Sequence, residues 1–252
     1  MPNTDSTTTT GPQPVPVGLF LAAARRPRTS RGRGGPVDTS PLAAPDLPDW
    51  NGLSLADLAY VIRRYTRAGD VVLDLDRHPS ITAAAHYLHR TPARLVTSRH
   101  GPRVRLLPPP SVRWPRRVTR RPGPGTNLIL LTLPRTDAYT LDLHGMAAAM
   151  TTWRRLLRPG GHLLTALTAH GPQPGRISHR ATVIAAARAA GLLYHQHIPV
   201  VLIALPEHEP RTETEPLEDA DHRRLLAGRH LPTFHHVLAF ASTATGEENG
   251  RA

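Results

Sequence analysis

The sequence predicts an α/β protein with an open, mostly parallel sheet, covered by helices on both faces and carrying an antiparallel strand near its end. Two observations support this prediction. Apolar runs of strand length alternate with segments of helical periodicity over most of residues 49 to 243. The last two apolar runs follow each other without an intervening helix, which places an antiparallel strand near the end of the sheet.

The first half of this region contains two predicted helices and three predicted strands. In LSLADLAYVIRRY, Ser54 and Asp57 suit a helix start, and apolar residues recur at helical spacing: Leu55, Leu58, Ala59 and Ile62. DVVLDL is predicted to be a buried strand and SITAAAHYLHR a helix. ARLVTSR, Ala93 to Arg99, is predicted as the second strand, and RVRLLP as a third.

The second half begins with NLILLTLP, Asn127 to Pro134, a continuous apolar run typical of a strand buried on both faces. Large apolar residues then share one helical face: Met146, Met150, Trp153 and Leu157. The glycines of RPGG are predicted to end this helix. A strand is predicted at His162 to Ala169 and a helix at Ile177 to Leu193, and IPVVLIALP and FHHVLAFAS supply the two final strands.

Composition divides the chain into one domain and irregular segments. Residues 1–48 are rich in Pro and Arg and are predicted to be a disordered tail. Residues 49–243 form the predicted domain, which contains a basic Pro-rich insert at 108–125 and an acidic, polar loop at 207–232. Residues 244–252 are a second predicted tail. Since proline is excluded from the interior of regular elements, the insert is predicted to be a loop.

The net charge of +12 is compatible with a nucleic-acid partner. All basic residues are arginines, and with abundant Ala, Pro and Gly this also indicates a coding bias toward GC-rich codons. Five arginines of the insert are the predicted contacts to DNA or RNA, and the alternative is a solvated segment: Arg113, Arg116, Arg117, Arg120 and Arg121.

The chain contains no cysteine, which excludes disulfides, thiolate zinc sites and cysteine nucleophiles. The first apolar run precedes its arginines, the reverse of a secretory signal, and no apolar run approaches membrane-spanning length. The sequence therefore predicts a cytoplasmic protein without a membrane partner.

AGDVVLDLDRHPSITAAAH, Ala68 to His86, has the form of a strand that turns into a helix, a geometry that many folds use to hold a nucleotide. The element order resembles the class I S-adenosylmethionine-dependent methyltransferases, which have a Rossmann-like fold closed by a hairpin. More narrowly, YVIRRYTRAGDVVLDLDRHPSITAAAHYLHR resembles the cofactor region of bacterial DNA amino-methyltransferases, and WRRLLRPGGHLL is similar to a helix-to-strand junction of the class I enzymes.

The resemblance implies S-adenosylmethionine as the cofactor and assigns a set of binding residues: Thr66, Asp74, Asp76, His78, Ser80 and Thr82. Asp74 occupies the position of the motif aspartate, and Asp76 replaces an aromatic residue. His78 and Ser80 occupy two positions where the family has glycine, which allows a tight turn and close approach of the ligand. The family's acidic residue at the end of the second strand is absent, and the segment LVTSR offers Ser98 instead.

The family's catalytic motif is Asp, Asn or Ser followed by Pro-Pro-aromatic, at the end of the fourth strand. A side-chain oxygen and a backbone carbonyl of this motif hold the target amino group, while the aromatic residue stacks on a flipped base. The matching residues here are Thr132, Leu133, Pro134 and Arg135. The resemblance therefore implies a catalytic role for Thr132, Pro134 and Arg135.

His195 and His197 alternate on a predicted strand and are expected to point to one face, as metal ligands do. No carboxylate at suitable spacing accompanies them, and no metal site is predicted. Asp74 is open to two interpretations, a cofactor ligand and a turn or helix-capping residue.

Two functions remain open at this point. The first is a divergent S-adenosylmethionine-dependent methyltransferase that acts on nucleic acid. The second is a catalytically inactive, methyltransferase-like scaffold that binds nucleic acid or protein. A nicotinamide-dependent enzyme is less favoured, because it requires a glycine-rich turn and an acidic residue after the second strand.

Overall fold

The architecture was determined from a computed structural model. It describes residues 18, 20–21, 47–99, 101–107, 119–120, 125–135, 143–168, 179–202 and 234–243. The helices are α1 (Leu55–Tyr65), α2 (Pro79–Tyr87), α3 (Leu143–Arg154) and α4 (His179–Ala189). The strands are β1 (Phe20–Leu21), β2 (Val71–Asp74), β3 (Thr91–Ser98), β4 (Gly101–Leu106), β5 (Thr119–Arg120), β6 (Thr126–Leu133), β7 (Leu157–Leu167), β8 (Leu192–Val201) and β9 (Phe234–Ser242).

Within the described residues, nine strands form one sheet in the order β1-β8-β9-β7-β6-β2-β3-β4-β5. The centre is parallel, since β6 pairs in parallel with both β7 and β2, and β2 pairs in parallel with β3. The antiparallel strand β9 lies between β7 and β8. This is the Rossmann-like, mostly parallel sheet of the class I methyltransferase fold, as the sequence predicts.

Two hydrophobic cores lie on opposite faces of this sheet. The odd-numbered residues of β6, such as Ile129 and Leu131, pack with α3 and α4 in one core that includes Met146, Met150 and Trp153. The even-numbered residues Leu128 and Leu130 pack with α1 and α2 in the other core, together with Trp50. Helix α1 starts as predicted: the Ser54 hydroxyl accepts a hydrogen bond from the Asp57 amide, and the Asp57 carboxylate accepts one from the Ser54 amide.

Several segments differ from the sequence-based expectation. RPGG does not end α3; it lies in the first part of β7, where the pairing with β6 shifts register, and Gly160 has φ +74°. Most of the segment RVRLLP, predicted as the third strand, lies in β4. This strand is antiparallel to β3, so the sheet has an antiparallel hairpin at this side as well. Within the predicted tail, Phe20–Leu21 form a strand that pairs in parallel with β8.

Candidate functional site

The candidate site lies where β2 and β6 end side by side at the carboxyl edge of the sheet. Asp74, the last residue of β2, is in register with Leu130, and Thr132 and Leu133 close β6. The chain leaves β2 toward α2 on one face, while α3, which follows β6, packs on the other. Such a point, where the order of strands reverses, forms the crevice in which open α/β sheets bind ligands.

Asp74 is buried, with 1% of its surface exposed. Its Oδ1 accepts a hydrogen bond of 2.9 Å from the Asp76 amide, which closes the turn after β2, and its Oδ2 has no hydrogen-bond partner. Burial and, to a smaller extent, the charge of Asp76 together raise the pKa of Asp74 to about 6, against the opposing effect of backbone amides at the turn. Asp74 is thus a turn residue whose carboxylate is poorly stabilised.

Asp76 is the centre of the site, since its two carboxylate oxygens accept four hydrogen bonds. Oδ1 accepts from the Thr132 amide at 3.1 Å and from Nη1 of Arg135 at 2.9 Å. Oδ2 accepts from the Thr132 hydroxyl at 2.6 Å and from Nε1 of Trp50 at 2.9 Å. The bond to Arg135 is also an ion pair between partly buried groups. The hydrogen-bonding capacity of the Asp76 carboxylate is therefore used by residues of its own chain.

The acceptor atoms at the end of β6 are occupied as well. The Thr132 hydroxyl donates to Asp76 and accepts a hydrogen bond of 2.8 Å from Nδ2 of Asn51. The carbonyl oxygen of Leu133 accepts two bonds from Thr168, one from the amide at 3.0 Å and one from the hydroxyl at 2.9 Å. These are the two positions that the motif resemblance assigns to holding a target amino group, and both are bonded within the chain.

Arg135 occupies the position of the family's aromatic residue. Its guanidinium pairs with Asp76 through Nη1 and donates through Nη2 to the carbonyl oxygen of Leu75 at 3.2 Å. Pro134, between Leu133 and Arg135, is exposed and follows a cis peptide bond. In this arrangement Arg135 ties the end of β6 to the turn after β2.

The segment before α1 supplies two side chains that sequence reasoning missed. Trp50 and Leu53 exchange two backbone hydrogen bonds of 3.0 Å around Asn51 and Gly52, which have φ +52° and +84°. The Asn-Gly pair in WNGL is a strong signal for a tight turn and could have revealed it. The turn brings the indole of Trp50, which is 1% exposed, into hydrogen-bond contact with Asp76. It also brings the side chain of Asn51 into hydrogen-bond contact with Thr132. We call Trp50, Asn51, Asp76, Thr132 and Arg135 the edge cluster.

The strand β9 adds a further residue to this edge. His235 Nδ1 lies 3.2 Å from the carbonyl oxygen of Asn51. The neighbouring His236 points to the opposite face, where its Nδ1 lies 2.8 Å from Nε2 of His197. Burial and, to a smaller extent, the charges of His197 and Arg180 together lower the pKa of His236 to about 4.

The two positions at which the family has glycine are filled. His78 is the N-cap of α2 but makes no side-chain capping bond; its Nδ1 is buried without a partner, and burial lowers its pKa. Ser80 is fully buried, and its hydroxyl donates to the carbonyl oxygen of Pro48 at 2.5 Å. Thr82 Oγ1 is also buried without a partner. The turn is therefore packed against residues 48–50 of its own chain.

Other predicted site residues lie elsewhere. Thr66 is the C-cap of α1, near the start of β2 and away from the carboxyl edge; its hydroxyl donates to the Ile62 carbonyl and accepts from Arg90 Nε. The structure does not bring it to Asp74. Of the five insert arginines, Arg120 lies in β5 with no described side chain, and the others lie outside the described residues: Arg113, Arg116, Arg117 and Arg121.

The expectation that His195 and His197 share a face is wrong. The pairing of β8 with β9 shifts register between Tyr194 and Gln196. As a result the His195 ring lies 5.3 Å from that of His162 on the α1 side, whereas His197 stacks on His236 on the α4 side. In the described part of the chain, no three residues of the types His, Cys, Asp and Glu come together as a metal site.

No protein-family model matches the sequence, and no curated protein matches it. Solved structures do resemble the fold. One is a geranyl diphosphate methyltransferase in complex with S-adenosylmethionine, with 16% identity over 76% of this chain and 86% of that chain and a TM-score of 0.45. Another is geranyl diphosphate C-methyltransferase from Streptomyces coelicolor A3(2), with Mg²⁺, geranyl diphosphate and S-adenosyl-L-homocysteine; it has 16% identity over 83% and 91% of the chains and a TM-score of 0.45.

A third similar structure is the antibiotic-resistance methyltransferase Kmr, with 16% identity over 73% of this chain and 93% of that chain and a TM-score of 0.37. All three proteins are named as methyltransferases. Across the described residues, the helices of this chain are too short or too polar to traverse a lipid bilayer.

Proposed function

We propose that this chain keeps the scaffold of a class I methyltransferase of nucleic-acid methyltransferase descent but acts by binding rather than by methyl transfer. The observation that carries the proposal is the edge cluster: the groups that would hold a substrate are bonded to one another. The partner class we propose is nucleic acid, because the net charge of +12 favours a polyanion.

Transfer to an exocyclic amine requires free acceptors, because the nitrogen must be positioned by its N–H groups. Thr132 Oγ1 already donates to Asp76 and accepts from Asn51, and the Leu133 carbonyl accepts twice from Thr168. Freeing either acceptor would leave partly buried donors without partners, at a cost of up to about 1–3 kcal/mol for each group. The bound geometry of the family's motif is therefore unfavourable in this chain.

The residues at the turn do not fit S-adenosylmethionine in the observed arrangement. A glycine cradle lets backbone approach a ligand closely, but His78 and Ser80 fill those positions, and Ser80 is anchored to Pro48. Asp76, the partly buried carboxylate that follows Asp74 in the turn, already accepts hydrogen bonds from Trp50, Thr132 and Arg135.

The proposal is tested by methyl incorporation. The full chain is incubated with tritium-labelled S-adenosylmethionine and with duplex DNA, single-stranded DNA or RNA, and label in nucleic acid is counted. We expect no incorporation above that of heat-denatured protein. Label that disappears in Thr132→Ala, but persists in the control Thr152→Ala on the exposed side of α3, would overturn the proposal.

A second candidate, a chain that binds S-adenosylmethionine once the edge cluster opens, is favoured by one observation. Three polar atoms along the turn are buried without hydrogen-bond partners: Asp74 Oδ2, His78 Nδ1 and Thr82 Oγ1. A ligand that supplied partners to these atoms would remove their desolvation cost.

Thermal unfolding with S-adenosylmethionine or S-adenosylhomocysteine distinguishes the two candidates. A ligand at 100 times its Kd stabilises the folded state by about 2.7 kcal/mol, which gives a clear rise in Tm. The second candidate predicts such a rise and its loss in Asp74→Ala. The first predicts an unchanged Tm.

A further inference from the structure

The β3–β4 hairpin presents an arginine-bearing face next to β5, the last strand of the sheet. In its antiparallel register Arg94 lies directly opposite Arg105, and Val96 lies opposite Arg103. Paired residues of neighbouring strands share a face, and so do alternate residues of one strand. Arg94, Arg103 and Arg105 therefore occupy one face, which we call the hairpin face.

The other face of the hairpin is structural. Ala93 and Val104 belong to the core on the α3 side, and Leu95 and Leu106 pack against it. The side chains that fix the hairpin in place are thus separate from the arginines, which are not required for its packing. The hairpin is therefore held in place by its apolar face and carries three guanidinium groups on the face away from that core.

These three arginines lack counter-charges in the described part of the chain. None of them makes a hydrogen bond or an ion pair there, and Nε of Arg94 is buried without a partner. Asp74 is the register partner of Arg94 on β2, but the two side chains form no ion pair. Like charges directly opposite each other destabilise a strand pair, so an external anion would be stabilising here.

The arginine-rich insert follows this hairpin directly in the sequence. Strand β5 pairs with β4, with Thr119 opposite Arg105, and the chain that links the two strands carries Arg113, Arg116 and Arg117. The positive charge of the hairpin face is therefore continuous along the chain with that of the insert.

We propose that the hairpin face binds the phosphate backbone of duplex nucleic acid without reading its sequence. Guanidinium groups suit phosphate because their donors form a planar fork. Single strands are usually held by stacking on aromatic side chains, and the hairpin from Thr91 to Leu106 contains no Phe, Tyr or Trp, whereas the adjoining insert carries Trp114. The proposal rests on the proposed function in one respect, namely that nucleic acid is the partner class.

The test is a fluorescence anisotropy titration of the full chain with a labelled duplex of about 20 base pairs over a series of salt concentrations. The hairpin variant combines Arg94→Gln, Arg103→Gln and Arg105→Gln. The control variant removes the same charge from exposed positions on helices and the loop after α3, with Arg64→Gln, Arg155→Gln and Arg188→Gln. Circular dichroism checks that both variants keep the wild-type fold.

We expect the hairpin variant to bind duplex at least about tenfold more weakly at 0.1 M salt. The slope of log K plotted against the logarithm of the salt concentration should be shallower by about 2 to 3, since each phosphate contact contributes about 0.9. The control should stay within about threefold of wild type. Equal weakening by both variants, absence of salt-dependent binding to duplex, or tighter binding of a single strand of the same length would overturn the proposal.

Failure of this proposal is distinguishable from failure of the proposed lack of methyl transfer. Tritium incorporation is measured on the same wild-type preparation. Duplex binding that the three arginine substitutions do not weaken, without tritium incorporation, contradicts the hairpin face alone. Tritium incorporation that depends on Thr132 contradicts the proposed function alone. Binding of a labelled acidic peptide by a protein that does not bind duplex contradicts the hairpin proposal in favour of a protein partner.

Discussion

The polar groups of the edge cluster are hydrogen-bonded to one another, whereas the arginines of the hairpin face have no described partners. In the edge cluster a carboxylate, a guanidinium, a hydroxyl, an amide and an indole satisfy one another, and Asp76 alone accepts four hydrogen bonds. On the hairpin face, two arginines stand directly opposite each other with no described partner. Groups that are satisfied internally stabilise the fold, whereas unpaired charges are available to a partner. We infer that binding has moved from the crevice at the edge cluster to the hairpin face.

Truncation of Trp50 should have the largest effect on stability. The indole is 1% exposed and donates to Asp76, so Trp50→Ala removes a large buried side chain together with a hydrogen bond. We expect a loss of about 3–5 kcal/mol in the free energy of unfolding, measured with urea. Trp50→Phe, which keeps most of the apolar volume, should lose about 1–2 kcal/mol. A Trp50→Ala variant within 1 kcal/mol of wild type would contradict the role of the edge cluster.

Removal of the Asp76 carboxylate should have the next largest effect. Asp76→Ala leaves the donors of Trp50, Thr132 and Arg135 without their acceptor, and we expect a loss of about 2–4 kcal/mol. The exposed Asp49→Ala is the control and should change stability by no more than about 0.5 kcal/mol. Comparable urea midpoints for the two variants would show that the cluster is not a stabilising unit.

Asp74 should make the protein less stable as the pH rises. Its folded pKa of about 6 lies above the ordinary aspartate value of 3.8, so the folded state holds the proton more tightly than the unfolded state. Its contribution is fully present below about pH 4 and is lost as the pH rises through about 6. The loss amounts to at most about 3 kcal/mol. Asp74→Asn, which is neutral at every pH, should be more stable than wild type at pH 8 and similar at pH 4.

The readout for Asp74 is the difference between variant and wild type across this pH range. Burial lowers the pKa of His162 and of His236 to about 4, so these groups have the opposite effect in the same window and cancel in the difference. Asp74→Asn that is less stable than wild type at pH 8 would show that the ionised carboxylate is paired.

The smallest effect is expected on the hairpin face. Arg105→Gln removes one of two like charges that stand directly opposite each other, and the free energy of unfolding should rise by about 0.2–1 kcal/mol. Arg64→Gln on α1 is the matched control and should be neutral or slightly destabilising, because it removes a positive charge from the last turn of a helix. Destabilisation by Arg105→Gln would indicate that the guanidinium has a structural partner.

Local patterns were sufficient to predict most of the sheet. The run Asn127 to Pro134 became β6, Thr126–Leu133, and FHHVLAFAS became β9, because burial on both faces leaves a continuous apolar signal. The RPGG segment was misassigned because glycines suit both a helix end and a strand irregularity, and Gly161 lies close to the backbone oxygen of Thr126 in the neighbouring strand.

The site was predicted only in part. Asp74, Asp76, Thr132 and Arg135 could be placed at the carboxyl edge because they follow or end two predicted strands. That they bond to one another depends on contacts between residues far apart in the chain: Trp50 reaches Asp76 across 26 residues, and Thr132 reaches it across 56. Such pairs leave no periodic signal, and the turn at Asn51 and Gly52 was the one local sign of the segment that covers the site.

Calorimetric titration of the full chain with S-adenosylmethionine and S-adenosylhomocysteine shows whether the edge cluster has replaced the cofactor. We predict no heat of binding up to millimolar ligand, a concentration at which even a weak interaction of about −4 kcal/mol would be half saturated. Micromolar binding that Asp74→Ala abolishes would instead establish that the turn after β2 still holds the cofactor.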